Sequence, residues 1–406
     1  MEKNKIELGT PISQERIQID GKVELKNVYR IDINSLYYND ENGRISTFIA
    51  EYNATHEETI DRLPFEQYNN VLMNYVKKSG SKDKFQITKN DIAKNGQLKV
   101  GIVLDDGRII DGNRRFTCLR ELYSETNKEE YKYFECFVLP TPTTNQEKTM
   151  IKTLELKYQF GEDQREEYNP IDRLVHVYNC LVKKPVMFSP EEYRDRVNNQ
   201  LKIADIKMAM TKAEIMEEYL EFINKPKRYD IARDEKLDGP IQEIATLKKK
   251  IKDKYEWNQA STVLYTFLKN KTSGDRTREI RELTKLYTNN KSKFDEIKEQ
   301  AFALEMKKSE INEQQKITDY VSEKQIFEVK EKEQKLTSNF NKAVAQTKLN
   351  QAKQKQFDIV KAANKKMNDI DIVEIQYLSQ EIKTNMKKEL NDLKKLIEKI
   401  EEKLNA

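Results

Sequence analysis

The chain has 406 residues, of which 35% are charged and 37% apolar, and 73 Lys and Arg stand against 69 Asp and Glu, for a net charge of +4. This length exceeds what one ordinary hydrophobic core holds, so two or three structural units are expected. Because the two signs of charge nearly balance, a surface for an anionic partner must be local.

The cysteines, histidines and N-terminus disfavour several kinds of site. Cys118, Cys136 and Cys180 form no CxxC pair, which disfavours a disulfide scaffold and a zinc site. With only His56 and His176, histidine-based acid–base chemistry is also disfavoured. The first residues lack the apolar segment of a signal peptide, and no window has the length of a membrane span. We therefore expect a cytoplasmic protein with no membrane partner.

Residues 15–145 are predicted to form an α+β domain with two β-hairpins. The pair Asp20-Gly21 stands between two runs of alternating apolar and polar residues, which is typical of a tight hairpin turn. The pair Asp106-Gly107 repeats this pattern. Helices are expected around 56–79 and 88–95, the second beginning at a Thr88 cap and ending at Gly96. The run FECFVLP predicts a further strand.

Residues 146–240 are predicted to be helical. Ser189, followed by proline and two glutamates, combines an N-cap, a first-turn proline and a capping box. A helix is expected over 190–198 and a second within 202–211, with another possible start at Thr211. Short consecutive helices suit either a small bundle or a helix-turn-helix unit.

Residues 241–406 form a basic region predicted to consist of long helices. No proline follows Pro240 and no glycine follows Gly274, while Lys, Glu, Gln and Leu are abundant. Six apolar residues near the C-terminus alternate at spacings of four and three: Met386, Leu390, Leu393, Ile397, Ile400 and Leu404. This pattern predicts a coiled-coil seam of about three heptads, through which two copies are expected to form a homodimer.

The segment IIDGNRR joins a predicted strand to a predicted helix. Asn113 is a plausible N-cap, and a helix N-terminus attracts anions through its free N–H groups. Gly112 lets a ligand approach the backbone closely. Arg114 and Arg115 add forked donors suited to phosphate oxygens. The segment therefore predicts a phosphate site, and Asp111 is placed to hold a metal-bound water or to orient an arginine.

The alternative is purely structural. Arg114 and Arg115 would form solvated salt bridges with acids such as Glu121, and Asp111 would cap the helix. The residues alone leave both interpretations open.

The order strand, turn, strand, DGNRR and helix resembles the ParB/sulfiredoxin superfamily. In partition ParB proteins this arginine box binds the triphosphate of CTP, and in sulfiredoxin and related enzymes it binds ATP or ADP. The resemblance implies a ParB/sulfiredoxin-like fold for 15–145 and nucleotide-binding roles for Gly112, Asn113, Arg114 and Arg115.

Weaker similarities flank this box. KNGQLKVGIV resembles the family's second nucleotide-contacting stretch, which implies a role for Gly96, although the usual proline is missing. YYNDENGRI is similar to the N-terminal polar segment and implies a role for Arg44. Glu155 matches the acidic position of a third box, whose asparagine and arginine are Leu156 and Gln159 here. These replacements disfavour metal-assisted hydrolysis more than binding.

DNA contacts are expected in the second and third regions. In ParB proteins a helix-turn-helix follows the nucleotide domain, and Lys202 and Lys207 lie on the corresponding second helix. Lys248 and Lys249 begin a basic run that ends beside two aromatic residues, Tyr255 and Trp257. These residues could bind phosphates and stack on bases, or they could be a solvated helix face and packed aromatics.

Three functions are compatible with these features. The leading one is a ParB-like, DNA-associated partition or regulatory factor that is switched by CTP or ATP with Mg²⁺. The second is an enzyme of the same fold, a nuclease, weak NTPase or nucleotide-dependent phosphotransferase, with Asp111 and Glu155 as catalytic residues and Mg²⁺ ligands. The third is a scaffold whose long helices recruit partners.

Overall fold

The computed structural model describes residues 5–19, 22–161, 169–197, 201–270, 274–318 and 321–405. Its N-terminal part contains a mixed sheet. The strands are β1 (Ser13–Ile19), β2 (Lys22–Asp32), β3 (Gly101–Leu104), β4 (Ile109–Asp111) and β5 (Tyr133–Leu139). They lie in the order β1-β2-β5-β3-β4. Among the described strands, β3 and β5 pair in parallel and the other neighbours pair antiparallel.

Both predicted hairpins are confirmed. Ile19 pairs with Lys22 across the first turn, whose two residues lie outside the described part of the chain. Val103 pairs with Ile109 across the second turn. The strand predicted from FECFVLP is β5, and it lies between β2 and β3, so it joins the two hairpins into one sheet.

The helices of this domain differ from the predicted limits. They are α1 (Ser46–Thr55), α2 (Phe65–Ser79), α3 (Lys82–Asn95) and α4 (Asn113–Thr126). The helix expected to begin at 56 begins nine residues later, and α1 was not predicted. Thr88 does not start α3 but lies inside it, where its Oγ1 donates to the Lys84 carbonyl oxygen at 2.9 Å. Helix α3 does end at Gly96, which has φ +73°.

Side chains cover the sheet on both faces. On one face Val103 packs with Phe116 of α4. On the other face Ile110 packs with Ile151 of α5 (Asn145–Gly161). Strand β4 lies at the sheet edge, and α4 follows it directly. The edge strand thus contributes to both layers and leads into the arginine segment.

A helical region follows. It contains α6 (Pro170–Val177), α7 (Pro190–Arg196), α8 (Ile203–Phe222), α9 (Tyr229–Asp234), α10 (Asp238–Lys248), α11 (Lys254–Asn270), α12 (Arg276–Asn289) and α13 (Lys291–Thr318). One hydrophobic core extends from Leu156 to Ala343 and continues across position 240.

The helix starts in this region were predicted with mixed success. The Ser189 capping box is confirmed: Ser189 Oγ accepts from the Glu192 N–H at 3.1 Å, and the Glu192 carboxylate accepts from the Ser189 N–H at 2.8 Å. The start at Thr211 is wrong, because Thr211 lies inside α8 and donates to the Lys207 carbonyl oxygen at 3.0 Å. The segment predicted as a separate helix is therefore the N-cap, Lys202, and the first nine residues of a twenty-residue helix.

The chain ends in two long helices, α14 (Glu323–Asn368) and α15 (Gln380–Leu404). Leu336 and Phe340 of α14 join the helical core. In α15 no described residue is buried, and Ile397 of the predicted seam is 52% exposed. The coiled coil stays a prediction. Across the described residues, no helix combines the length and apolarity that crossing a membrane requires.

Candidate functional site

The junction between β4 and α4 requires a glycine. Gly112, not Asn113 as predicted, is the N-cap of α4 and has φ +98°. A Cβ at this position would lie 2.7 Å from Phe134 Cζ. Both the left-handed backbone and the close approach of Phe134 therefore exclude larger residues.

Arg115 stabilises this junction. Its Nη2 donates to Asp111 Oδ2 at 2.6 Å, and its Nη1 donates to the carbonyl oxygens of Lys99 and Val100 at 2.5 and 3.2 Å. The Arg115 side chain is only 15% exposed. Of the two roles expected for Asp111, orienting an arginine is the one that these contacts describe.

The other two polar residues of the junction have different surroundings. Arg114 is half-buried, and it is one of the cations that oppose the burial-driven rise of the Cys118 pKa. Asn113 is 9% exposed, and its Oδ1 has no hydrogen-bond partner within the described segments. A buried amide oxygen without a donor is uncommon in folded proteins.

A large cleft lies between the sheet domain and the helical region. Its volume is about 890 Å³, and its lining comes from the segments 39–54, 108–110, 142–155, 175–187 and 226–229. Of the predicted site residues, Glu155 belongs to the described lining, and Arg114 and Arg115 do not.

Four cations of the cleft have no carboxylate partner among the described residues: Arg108, Lys148, Lys183 and Lys227. The Arg108 Nε is buried and has no hydrogen-bond partner there either. Because these residues come from four separate segments, the sequence pattern did not reveal them. Three carboxylates, Asp40, Glu41 and Glu155, also line the cleft against six lining cations, so the described lining has a net positive charge.

Two further lining cations are already paired. Lys152 Nζ lies 2.8 Å from Glu155 Oε2 and donates to the Glu41 carbonyl oxygen at 3.1 Å. Arg228 Nη2 lies 2.6 Å from Asp230 Oδ2. Burial opposes the charge of Lys152, but the adjacent Glu155 outweighs burial and raises the Lys152 pKa. Lys152 thus keeps its positive charge on the cleft wall.

One face of α5 supplies much of this wall. Lys148, Lys152 and Glu155 follow each other at spacings of four and three, which places them on one side of a helix. This spacing is the one local signal that could have identified the cleft from the sequence.

His176 and Cys180 form a buried pair beside the cleft. Their Nε2 and Sγ atoms are 3.6 Å apart, and Cys180 lies in a π-helical turn, Tyr178–Val182. Burial lowers the His176 pKa to about 3 and raises the Cys180 pKa to about 12. At neutral pH the imidazole is uncharged and the thiol is protonated, so this pair lacks the thiolate that nucleophilic catalysis needs.

Asp172 connects the helical region to the sheet domain at the edge of the cleft. Helix α1 has no cap of its own, and Asp172 Oδ1 accepts from the Thr47 N–H at 3.2 Å and from Ser46 Oγ at 3.3 Å. Arg233 donates to Thr47 Oγ1 at 3.1 Å. Burial raises the Asp172 pKa to about 6. A residue from α6 thus completes a helix N-terminus in the other domain.

The two expected Mg²⁺ ligands do not fit a metal ion as they are arranged. Asp111 is paired with Arg115, and Glu155 is paired with Lys152. Within the described ranges, no three His, Cys, Asp or Glu side chains come close enough together to hold a metal. We therefore derive no step through a metal at these carboxylates.

The remaining predicted residues are not part of the described cleft lining. Lys202 and Lys207 are exposed at the start of α8, and Lys249 is exposed after α10. Lys248 instead lies 2.8 Å from Glu218 Oε1. Arg44 lies in a short turn where its N–H donates to an asparagine side chain, and Gly96 is exposed at the end of α3.

Comparison with known proteins gives little further information. No protein-family model and no curated protein matches this chain. A solved structure of a Pnob8-like ParB-N domain, in its C2221 crystal form, is similar over 71% of this chain and 98% of that one. The sequence identity is 13% and the TM-score is 0.36. We draw no conclusion about fold or function from a similarity of this size.

Proposed function

We propose that this protein is a nucleotide-binding, DNA-associated factor whose ligand lies in the cleft between the sheet domain and the helical region. The observation that carries this proposal is the set of cleft cations without carboxylate partners in the described chain: Arg108, Lys148, Lys183 and Lys227. Guanidinium and ammonium groups suit phosphate oxygens. The cleft volume of about 890 Å³ also lies within the range of roughly 300–1,000 Å³ typical of small-molecule sites.

The position of these cations gives the ligand a switching role. Arg108 belongs to the turn before β4, Lys148 to α5, and Lys227 to the segment before α9. A phosphate chain that contacts all three ties the sheet domain to the helical region. Loss of the ligand leaves these like charges to repel one another, so the closed arrangement is favoured when the ligand is bound.

The arginine segment has a supporting role in this proposal. Arg115 already makes three hydrogen bonds within the fold, so breaking them would oppose any gain from a phosphate. Arg114 and Asn113 remain candidates for contact with a second part of the ligand. The nucleotide-binding roles of Arg44, Gly96 and Gly112 stay predictions.

Calorimetry with CTP, ATP, GTP and UTP tests the proposal. The double variant Arg108→Ala/Lys148→Ala is expected to weaken binding by at least about tenfold, because charge-assisted hydrogen bonds contribute about 1.5–3 kcal/mol each. A control variant, Lys353→Ala/Lys355→Ala, removes the same charge from the exposed part of α14 and should bind as the wild type does.

The two possible phosphate positions are distinguished by a third variant. Arg114→Ala/Arg115→Ala is expected to lower thermal stability, because Arg115 holds the β4–α4 junction, while the remaining folded protein still binds. If this variant alone abolishes affinity, the phosphates lie at the arginine segment and not in the cleft. If the wild type binds none of the four ribonucleotides, the proposal is wrong and the scaffold function is favoured.

Two parts of the proposal concern partners. We propose that the homodimer contact lies on the seam of α15, because no described residue of this helix is buried within the chain. We place DNA contacts on the exposed lysines Lys202, Lys207 and Lys249. The enzymatic alternative predicts Mg²⁺-dependent nicking of plasmid that is lost in Asp111→Ala.

A further inference from the structure

The segment 249–256, here called the α10–α11 connector, joins the two helices, includes the first three residues of α11 and carries a set of exposed cations. Lys249, Lys250, Lys252 and Lys254 are all exposed, and none has a carboxylate partner within the described chain. Tyr255 follows them directly and is 72% exposed. An aromatic ring that lies open to solvent beside four ammonium groups is unlike the packed aromatics of the core.

The acidic residues of this connector make their hydrogen bonds and ion pairs with groups other than the four lysines. Asp253 Oδ1 accepts from the Glu256 N–H at 2.7 Å, at the start of α11. Glu256 Oε1 lies 2.8 Å from Lys291 Nζ and accepts from the Tyr287 hydroxyl at 2.5 Å. These contacts lower the Glu256 pKa, chiefly through Lys291, so Glu256 is ionised and directed toward α12 and α13. Asp253 keeps its charge within this run, so four lysines stand against one local carboxylate, and none of the four is paired with it in the described chain.

The connector is held in place by residues that point inward. Ile251 and Trp257 are each 8% exposed and belong to the helical core. Lys248 lies 2.8 Å from Glu218 Oε1 and 5.1 Å from the centre of the Trp257 ring. These anchors fix the backbone and leave the lysines and Tyr255 on the outer side. Lys248, which the sequence grouped with the other lysines, belongs to the fold.

A groove continues from this surface. Lys250 lines a depression of about 310 Å³ between α10 and α12, together with Lys285 and Arg281. Arg281 is paired with Glu243, and Lys285 lies 3.7 Å from a glutamate of its own helix. Arg281 and Lys285 are both paired, so Lys250 is the cation of this groove that has no carboxylate partner within the described chain.

We infer that the α10–α11 connector binds single-stranded nucleic acid, with phosphates on Lys249, Lys250, Lys252 and Lys254 and a base stacked on Tyr255. Lysines bind phosphates whatever the sequence, and an exposed aromatic ring stacks on any base that is not already stacked. In a duplex the bases are stacked on each other, so a flat ring at the surface gains nothing from them. The combination favours a single strand.

This inference rests on the DNA association proposed above and gives it a surface and a substrate class. It does not depend on the cleft, because none of these residues lines it. Binding of oligo(dT) by the full chain is measured by fluorescence anisotropy over a series of salt concentrations, with the matching duplex as a comparison.

Tyr255 tests the stacking contact. Tyr255→Ala is expected to lower the affinity for oligo(dT) by about 5- to 100-fold, in line with the known contribution of base–aromatic stacking, whereas Tyr255→Phe keeps the wild-type affinity. Because this side chain is exposed, neither variant should change the melting temperature. Equal affinity of Tyr255→Ala and the wild type would overturn the stacking role.

The lysines are tested by a matched charge removal. Replacing all four with Gln should reduce the slope of log affinity against log salt by up to about 3, since each phosphate contact on a single strand contributes about 0.7. The control replaces Lys353, Lys355, Lys361 and Lys365 of α14 with Gln, which removes the same charge from another exposed surface.

The outcomes separate this inference from the wider proposal. If the connector variant loses salt-dependent binding and the α14 variant does not, the inference holds. If the connector variant and the α14 variant lose salt-dependent binding equally, the connector is not the site. The same holds if neither variant loses it while the wild type binds. In both cases the DNA association stands without the connector. Binding of phosphatidylserine vesicles that is equally sensitive to Tyr255→Ala would also overturn it. A wild type that binds no nucleic acid rejects the DNA association itself.

Discussion

Replacing Asp172 with asparagine is expected to stabilise the protein at neutral pH. Burial between α1 and α6 raises the Asp172 pKa from its ordinary value of 3.8 to about 6. A group whose pKa is raised by folding contributes stability that is fully present below its unfolded pKa and is lost as the pH rises through its folded pKa. A difference of roughly 2 in pKa corresponds to about 3 kcal/mol.

Asparagine keeps an oxygen that accepts from the Thr47 N–H but never ionises, so it removes this penalty. We expect the free energy of unfolding of Asp172→Asn, relative to the wild type, to rise by about 2 kcal/mol between about pH 4.5 and pH 7.5. Urea unfolding followed by circular dichroism at several pH values measures this difference. The other carboxyl groups are common to both proteins and cancel.

Asp172→Ala is the matched control. It removes the acceptor as well as the charge, so the buried Thr47 N–H is left without a partner and the free energy of unfolding falls by about 1–3 kcal/mol relative to Asp172→Asn. A pH-independent difference between Asp172→Asn and the wild type would contradict a raised pKa for Asp172. So would a difference that favours the wild type more strongly at the higher pH.

Three further changes test the fold and the tail. Gly112→Ala should lower the free energy of unfolding by more than Gly96→Ala, which should cost about 1–2 kcal/mol. Both glycines have positive φ, but only at Gly112 would a Cβ meet a ring carbon, Phe134 Cζ at 2.7 Å. Equal losses in urea unfolding would argue against this clash. Ser189→Ala should lower the free energy of unfolding by about 1 kcal/mol through loss of the α7 cap, and an unchanged melting temperature would contradict this. Ile397→Asp should convert a dimer to a 48.1 kDa monomer in light scattering without lowering the melting temperature, and a monomeric wild type would reject the tail contact.

Local sequence signals identified several elements correctly. The Asp106-Gly107 turn and the Ser189 capping box are decided by residues within a few positions of each other, and both are present in the structure. The same kind of signal was wrong for Thr88 and Thr211. Inside a helix a threonine hydroxyl can donate to the carbonyl oxygen four residues before it, as Thr88 and Thr211 do. A threonine in a helical segment therefore does not by itself indicate where the helix begins.

The arginine segment shows where local signals stop. The sequence indicated that a glycine and two arginines stand at a strand–helix junction, and they do. It could not show that Arg115 donates hydrogen bonds to Asp111 and to the backbone carbonyl oxygens of Lys99 and Val100. Lys99 and Val100 come within reach of Arg115 only when the chain has folded. The contacts of a charged side chain depend on which distant segments fold next to it.

The division into a sheet-containing N-terminal part and a long helical remainder follows from local sequence signals, since turn pairs, capping residues and the distribution of proline and glycine act over short distances. Where positive charge accumulates depends instead on how distant segments fold together. Arg108, Lys148, Lys183 and Lys227 are far apart along the chain and surround one cleft, while Lys248, inside an obvious basic run, is turned inward against Glu218. The electrostatic potential at a site is the sum of the contributions of charged groups that are close in space, and a local sequence pattern does not show which groups these are.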